Sequence, residues 1–125
     1  MYNRVLYFLS INDILVKNQY GFREKRSTYM ALLQIVDDIF SELDTKNNSI
    51  GVFIDLSKAF DTIDHKLLIK KLSHYGIREV VLNWFISYLS NRKKYVYLNS
   101  TISPSLHINC GVPQGSILGP LLLII

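Results

Sequence analysis

Three carboxylates, Asp55, Asp61 and Asp64, fall in the stretch Gly51-Val-Phe-Ile-Asp-Leu-Ser-Lys-Ala-Phe-Asp-Thr-Ile-Asp-His65. Asp55 follows an apolar, β-rich run, Ile50 to Ile54. An ionised carboxylate at the end of a buried strand is costly unless something neutralises it. A basic side chain, a helix N-terminus or a metal ion would serve, and the local residues leave all three open. Two-metal phosphoryl transfer needs carboxylates that face each other across about 4 Å of metal separation. Asp61 lies past a turn and Asp64 reads as a helix cap, so neither is an obvious second ligand. Glu79 is the sole acid after Asp64.

The second chemically suggestive stretch is the glycine loop Gly111-Val-Pro-Gln-Gly-Ser-Ile-Leu-Gly-Pro120. A phosphate-binding Walker A loop would end in Gly-Lys-Ser/Thr, whereas Gly115 precedes Ser116 and Ile117. A nucleophile elbow needs glycine two residues before its serine, where this chain has Gln114. Glycines at 111, 115 and 119 would let backbone approach a flat or charged ligand, and Gln114 offers a donor and an acceptor. A purely structural loop explains the same residues. His65, His74 and His107 lack metal-ligand spacing and read as surface or helix-end residues. A single cysteine, Cys110, excludes an internal disulfide and a multi-thiolate zinc site.

Several elements must position these residues. Val5, Leu6 and Leu9 share a helical face in Tyr2 to Leu9, until Asn12-Asp13 breaks the pattern. Ser27 or Thr28 caps a helix reaching about Asp44, with Met30, Leu33, Ile35, Val36, Ile39, Phe40 and Leu43 at a 3.6-residue period. Ile50 to Ile54 is the central buried strand. Asp64 caps the next helix, with Ile63 and Leu68 as a hydrophobic staple and Gly76 as its stop. A further helix takes Glu79 to Leu89. Tyr95 to Leu98 and Leu106 to Asn109 read as strands joined by the loop Asn99 to Ser105. Ser116 begins a last helix. The faces Leu33–Ile39–Leu43 and Leu68–Leu72–Tyr75 are expected in the core; Trp84 and the eight tyrosines could stack on bases, and most of them are expected to be core or half-buried.

With 125 residues, 49% of them apolar, the chain can build one modest domain and is not disordered by composition. The net charge is +4, and its placement says more than its size. Seven basic residues (Lys66, Lys70, Lys71, Arg78, Arg92, Lys93, Lys94) face one acid between 66 and 94. The acids sit mostly between Glu24 and Asp64. A basic half beside an acidic centre fits a phosphate backbone approaching a metal-binding carboxylate, and a solvated helix face fits equally. Lys66 and Lys70 share a helical face, and Lys93 and Lys94 are expected in a loop. No secretory leader is expected, since Asn3, Arg4, Asn12 and Asp13 interrupt the first apolar stretch. Ile117 to Ile125 is too short to span a bilayer and reads as a core element.

Phe53-Ile-Asp-Leu-Ser-Lys-Ala-Phe-Asp-Thr-Ile-Asp-His65 and Gly111-Val-Pro-Gln-Gly-Ser-Ile-Leu-Gly-Pro-Leu121 together closely resemble the reverse transcriptase domain of non-LTR (LINE, jockey-type) retrotransposons. Gln19-Tyr-Gly-Phe-Arg-Glu-Lys-Arg-Ser-Thr28, His74-Tyr-Gly-Ile77 and Tyr88-Leu-Ser-Asn-Arg92 extend the resemblance over nearly the whole chain. It implies an α+β fold: part of a right-hand polymerase, its helices packed on a small antiparallel sheet. Residues 1–49 would be the helical fingers and palm-entry part, and residues 50–125 the palm part. It implies RNA-directed DNA synthesis, in which a primer 3′-OH attacks the α-phosphate of a dNTP on an RNA template.

Roles follow residue by residue from that resemblance. Asp55 is the expected catalytic aspartate and, with the Leu56 carbonyl, a ligand of two Mg²⁺ ions. The amides near Lys58 and Ala59 would hold the triphosphate, and Phe60 would exclude a 2′-OH. Pro113, Gln114 and Gly115 would pack beside the incoming nucleotide and the template base. Lys66, Lys70, Lys93 and Lys94 would meet nucleic-acid phosphates. The family's Tyr-Ala-Asp-Asp-like hairpin, its upstream basic clamp and its thumb have no counterpart in these residues, and Arg23 and Arg26 are not assigned the clamp role. The isolated chain is therefore expected to be inactive, with the remainder of the polymerase as its partner and the edge of the central strand prone to association. The other functional class is a non-catalytic remnant, at most a nucleic-acid-binding or protein-interaction module. An intracellular site in cytoplasm or nucleus and no membrane association are expected.

Overall fold

Short polar side chains, Ser27 and Asp64, start two of the five helices, and the core forms where four of the five meet. The computed structural model describes residues 1–125. Its elements are α1 (Tyr2–Ile11), α2 (Thr28–Asp44), α3 (His65–His74), α4 (Glu79–Leu89), β1 (Arg92–Lys94), β2 (Tyr97–Leu98), β3 (Thr101–Ile102), β4 (Leu106–Ile108) and α5 (Leu118–Ile124). The fold class is α+β, as the resemblance implies.

Val5 and Leu9 of α1, Leu15, Leu68 and Leu72 of α3, Ile77, and Phe85 and Leu89 of α4 enclose one apolar cluster. Leu118, Leu121 and Leu122 of α5 close it. Asp64 caps α3 as its sequence suggests: its carboxylate accepts from the Leu67 amide at 2.8 Å. Gly76, at φ +96°, lets the chain leave α3 in the left-handed conformation that glycine adopts without strain. The Ile77 amide then bonds back to the Leu72 carbonyl at 3.0 Å, which returns the chain to the core.

Two apolar segments take no part in that core. Ser27 caps α2, accepting from the Met30 amide at 3.2 Å, yet α2 buries no residue along its length. Its expected core positions Leu33, Ile39 and Leu43 are 42–55% exposed. The expected central strand does not form. Ile50, Val52, Phe53 and Ile54 are each at least 80% exposed, and no segment pairs with them. A strand is stabilised by its neighbours, and an isolated one leaves its backbone groups to water. This stretch has the β-rich composition and no partner.

The hairpin also differs from expectation in register. β1 pairs antiparallel with β4, with Arg92 opposite Ile108, Lys93 opposite His107 and Lys94 opposite Leu106. β2 pairs with β3 as a separate inner pair, Tyr97 with Ile102 and Leu98 with Thr101. The strands therefore start at Arg92, and Lys93 and Lys94 lie on β1 rather than in a loop. Asn99 and Ser100, both at positive φ, close the inner pair, and two such residues in a row are what a tight hairpin turn requires. Ser103 spans the gap between the two pairs: its hydroxyl accepts from the Val96 amide at 2.9 Å, and its own amide donates to the Val96 carbonyl at 2.9 Å.

Candidate functional site

The turn after Asp55 and the glycine loop are laced together by backbone. Lys58, at φ +55°, reverses the chain, and the Asp61 amide closes the turn onto the Lys58 carbonyl at 2.8 Å. From there two amides of the glycine loop reach back. Gly111 donates to Ile63 at 2.7 Å and Val112 donates to Phe60 at 2.8 Å, and an antiparallel bridge joins Asp64 to Cys110. Gly111 must be glycine here. It sits at φ +83°, and a Cβ would lie 2.9 Å from both the Cα and the carbonyl oxygen of Asp61. Val112 is buried beside this junction, and Phe60 packs half-buried against the core. The edge-on ring of Phe22 meets Phe60 at 5.9 Å between centroids.

Beyond Gly111 the loop folds on Ser116. The Ser116 hydroxyl donates to the Pro113 carbonyl at 2.8 Å and accepts from the Gly119 amide at 2.9 Å, so it acts as the cap that starts α5. Gly119 passes so close to the Pro113 carbonyl that a Cβ would fall 2.5 Å from it. Two of the three glycines therefore serve approaches within the protein. Gly115 differs: at φ +81° it has nothing within 4 Å of where a Cβ would stand. It alone faces open space.

The loop forms one wall of a cleft of about 310 Å³, and β1 forms another. Pro113 and Gln114 meet Arg92, Lys93 and Lys94 there, with Asp61 at its edge. Three cations against one carboxylate make a concave positive surface, which attracts a polyanion. Arg92 is also held over the Tyr88 ring, 5.8 Å from its centroid. Thus expected site residues from two regions, the glycine loop and the Lys93–Lys94 pair, come together. Asp55, Leu56 and Lys58 are exposed and do not line this cleft, and neither do Lys66 and Lys70 on the outer face of α3. Ala59 is half-buried in the turn, where its carbonyl accepts from the Thr62 hydroxyl at 3.3 Å.

Sequence reasoning missed Arg92 as a cleft residue and Asp61 as its neighbour, because both depend on the hairpin register. His65 opens α3, as a helix-end residue does, but sequence reasoning missed its long-range contact: its Nε2 lies 2.7 Å from the Gly111 carbonyl.

A divalent cation such as Mg²⁺ needs about six oxygen ligands in near-octahedral geometry. No three His, Cys, Asp or Glu side chains converge anywhere in the chain. Asp55 is therefore part of no such group, and these residues do not by themselves fit such an ion. No helix is long and apolar enough to cross a membrane.

Comparison with known proteins gives the chain that carries these laced motifs and their basic cleft a family. The family model for reverse transcriptase (RNA-dependent DNA polymerase) matches residues 1–125, and the chain belongs to that family. It is similar to the probable RNA-directed DNA polymerase from transposon BS of Drosophila melanogaster, 34% identical over 96% of this chain and 13% of the relative. The probable RNA-directed DNA polymerase from transposon X-element of the same species is 33% identical over 95% of this chain and 13% of the relative. The RNA-directed DNA polymerase from mobile element jockey, also from Drosophila melanogaster, is 32% identical over 96% and 13%. The chain thus spans about an eighth of the length of these relatives. No solved structure matches it.

Proposed function

We propose that the chain is the fingers-and-palm part of an RNA-directed DNA polymerase from a non-LTR retrotransposon, with residues 1–49 as its palm-entry part and 50–125 as palm. The observation that carries this reading is the cleft in which Pro113 and Gln114 meet Arg92, Lys93 and Lys94. A template or primer strand laid there has its phosphates against three cations and a base against Pro113 and Gln114 of the glycine loop, with open space beyond them at Gly115. Lys66 and Lys70, exposed on α3 outside the cleft, would be separate phosphate contacts.

In this reading Phe60 presents the ring that excludes a ribose 2′-OH, and the amides of Lys58 and Ala59 take the triphosphate. The Lys58 turn suits that role, because left-handed turns aim successive amides at an anion. Asp55 and the Leu56 carbonyl offer two oxygens toward Mg²⁺. The other ligands are not found among these residues, so no catalytic step is derived through the ion.

One observation favours the second reading, a non-catalytic nucleic-acid-binding remnant: Asp55 belongs to no group of three metal-ligating side chains. Primer extension on an RNA template with Mg²⁺ tests the remnant, and oligonucleotide binding tests the cleft. The isolated chain is expected to incorporate no dNTP, and to bind a single-stranded oligonucleotide with an affinity that falls as salt rises. Measurable incorporation that disappears in Asp55→Ala would sink the remnant. An affinity indifferent to salt and to Lys93→Glu/Lys94→Glu would remove nucleic acid from the cleft.

A further inference from the structure

We infer that His65 is a positioning residue for the glycine loop, holding Pro113 and Gln114 in place in the basic cleft through the bond from its Nε2 to the Gly111 carbonyl. The role rests on the proposed nucleic-acid site for its functional consequence, but not for its geometry.

Helix α3 alone gives no reason for a histidine at this position. Asp64 already caps the helix, accepting from Leu67 at 2.8 Å. An imidazole in the first turn is a poor helix former, and its protonated form opposes the positive end of the helix dipole. What the side chain does reach is the Gly111 carbonyl, 2.7 Å away and 46 residues on in the chain. A carbonyl oxygen can only accept, so Nε2 carries the proton. Gly111 is buried, and its carbonyl loses this donor if His65 is removed.

The geometry makes this bond the third tether of the loop. The other two are the backbone bonds from Gly111 to Ile63 and from Val112 to Phe60, at 2.7 and 2.8 Å. Those two pin the entrance of the loop on one side. Only the imidazole holds the carbonyl face of Gly111, from which Val112, Pro113 and Gln114 continue into the cleft. Glutamine places its amide nitrogen at about the reach of Nε2 and can donate the same bond, whereas leucine fills the space and donates nothing.

The test uses the 125-residue chain, amide exchange, and fluorescent oligo-uridylate as probe. In His65→Leu, exchange at the Gly111 and Val112 amides is expected to speed up by about tenfold or more, with His65→Gln staying close to the parent. Oligo-uridylate binding is expected to weaken several-fold in His65→Leu and to recover in His65→Gln. If Lys93→Glu/Lys94→Glu weakens binding while His65→Leu binds like the parent, the positioning role is overturned and the cleft stands. If the charge reversal changes nothing, the cleft reading falls, and unchanged exchange in His65→Leu then overturns the tether as well. Should His65→Leu fail to fold, the imidazole ¹⁵N signals of the parent decide. A proton on Nε2 supports the bond, and one on Nδ1 alone overturns it.

Discussion

The stretch from Ile50 to His65 has two halves that meet different conditions. Phe60 to His65 bonds to Gly111 and Val112, caps α3 through Asp64 and packs Phe60 and Ile63 on the core. Ile50 to Leu56 has a more strand-like composition, yet every residue in it is exposed. Composition is therefore not what separates the halves. A turn and a helix cap find their partners within a few residues, and the loop at Gly111 supplies the rest. A strand needs another strand, and none of the segments in these 125 residues pairs with Ile50–Ile54. The carboxylate proposed for metal binding sits on the unpartnered half, and the ring proposed to check the sugar sits on the anchored one.

The largest effect that tests this contrast comes from deleting one phenylalanine ring in the core on which the anchored half packs and one in the unpartnered half. Phe85 is fully buried between α4 and the core, and Phe85→Ala should lower the stability of the chain by about 3–5 kcal/mol. Phe53 is 87% exposed, and Phe53→Ala should change it by no more than about 0.5 kcal/mol. Urea denaturation followed by tryptophan fluorescence measures both, since Trp84 packs edge-on against Phe85 at 5.2 Å. A comparable loss for Phe53→Ala would show that the Ile50–Ile54 run is covered in solution.

A smaller pair of changes tests the anchored half. Gly111→Ala combines a left-handed φ of +83° with a Cβ 2.9 Å from Asp61 backbone, so the chain must shift, at a cost of about 2–4 kcal/mol. Gly115→Ala carries the same kind of backbone strain in open space and should cost about 1 kcal/mol. Thermal melts of the two variants give the order directly. Equal losses would mean that strain alone matters at Gly111 and that the lacing to Asp61 is loose.

What could be read from sequence follows the same division. The bounds Glu79–Leu89, the caps at Ser27 and Asp64 and the stop at Gly76 are local signals, and each stands where the residues place it. The hairpin was legible as a hairpin but not in register. The apolar run Tyr95 to Leu98 attracts the strand assignment, while the left-handed pair Asn99-Ser100 sets the turn and moves the outer pairing to Arg92–Lys94. The helical period of α2 is real, but periodicity reports a face and not what covers it. The bond from His65 to Gly111 joins residues 46 apart, and nothing in either neighbourhood announces it. The cleft was half visible: its glycine loop and lysines stand out in the sequence, and their meeting does not.

The smallest effect separates α2 from α3, two helices with the same kind of cap and different surroundings. Asp64 accepts from Leu67 at 2.8 Å, and α3 buries Leu68 and Leu72, so fraying its first turn loosens the core. Asp64→Ala should therefore lower global stability by about 1 kcal/mol. Ser27 accepts from Met30 at 3.2 Å, and α2 buries nothing. A 17-residue helix without packing is marginal in water, so its cap governs only its own population. Ser27→Ala should reduce helical circular dichroism while leaving the denaturation midpoint in place. If the midpoint falls as far as it does for Asp64→Ala, α2 melts together with the core, and the division between the two regions is lost.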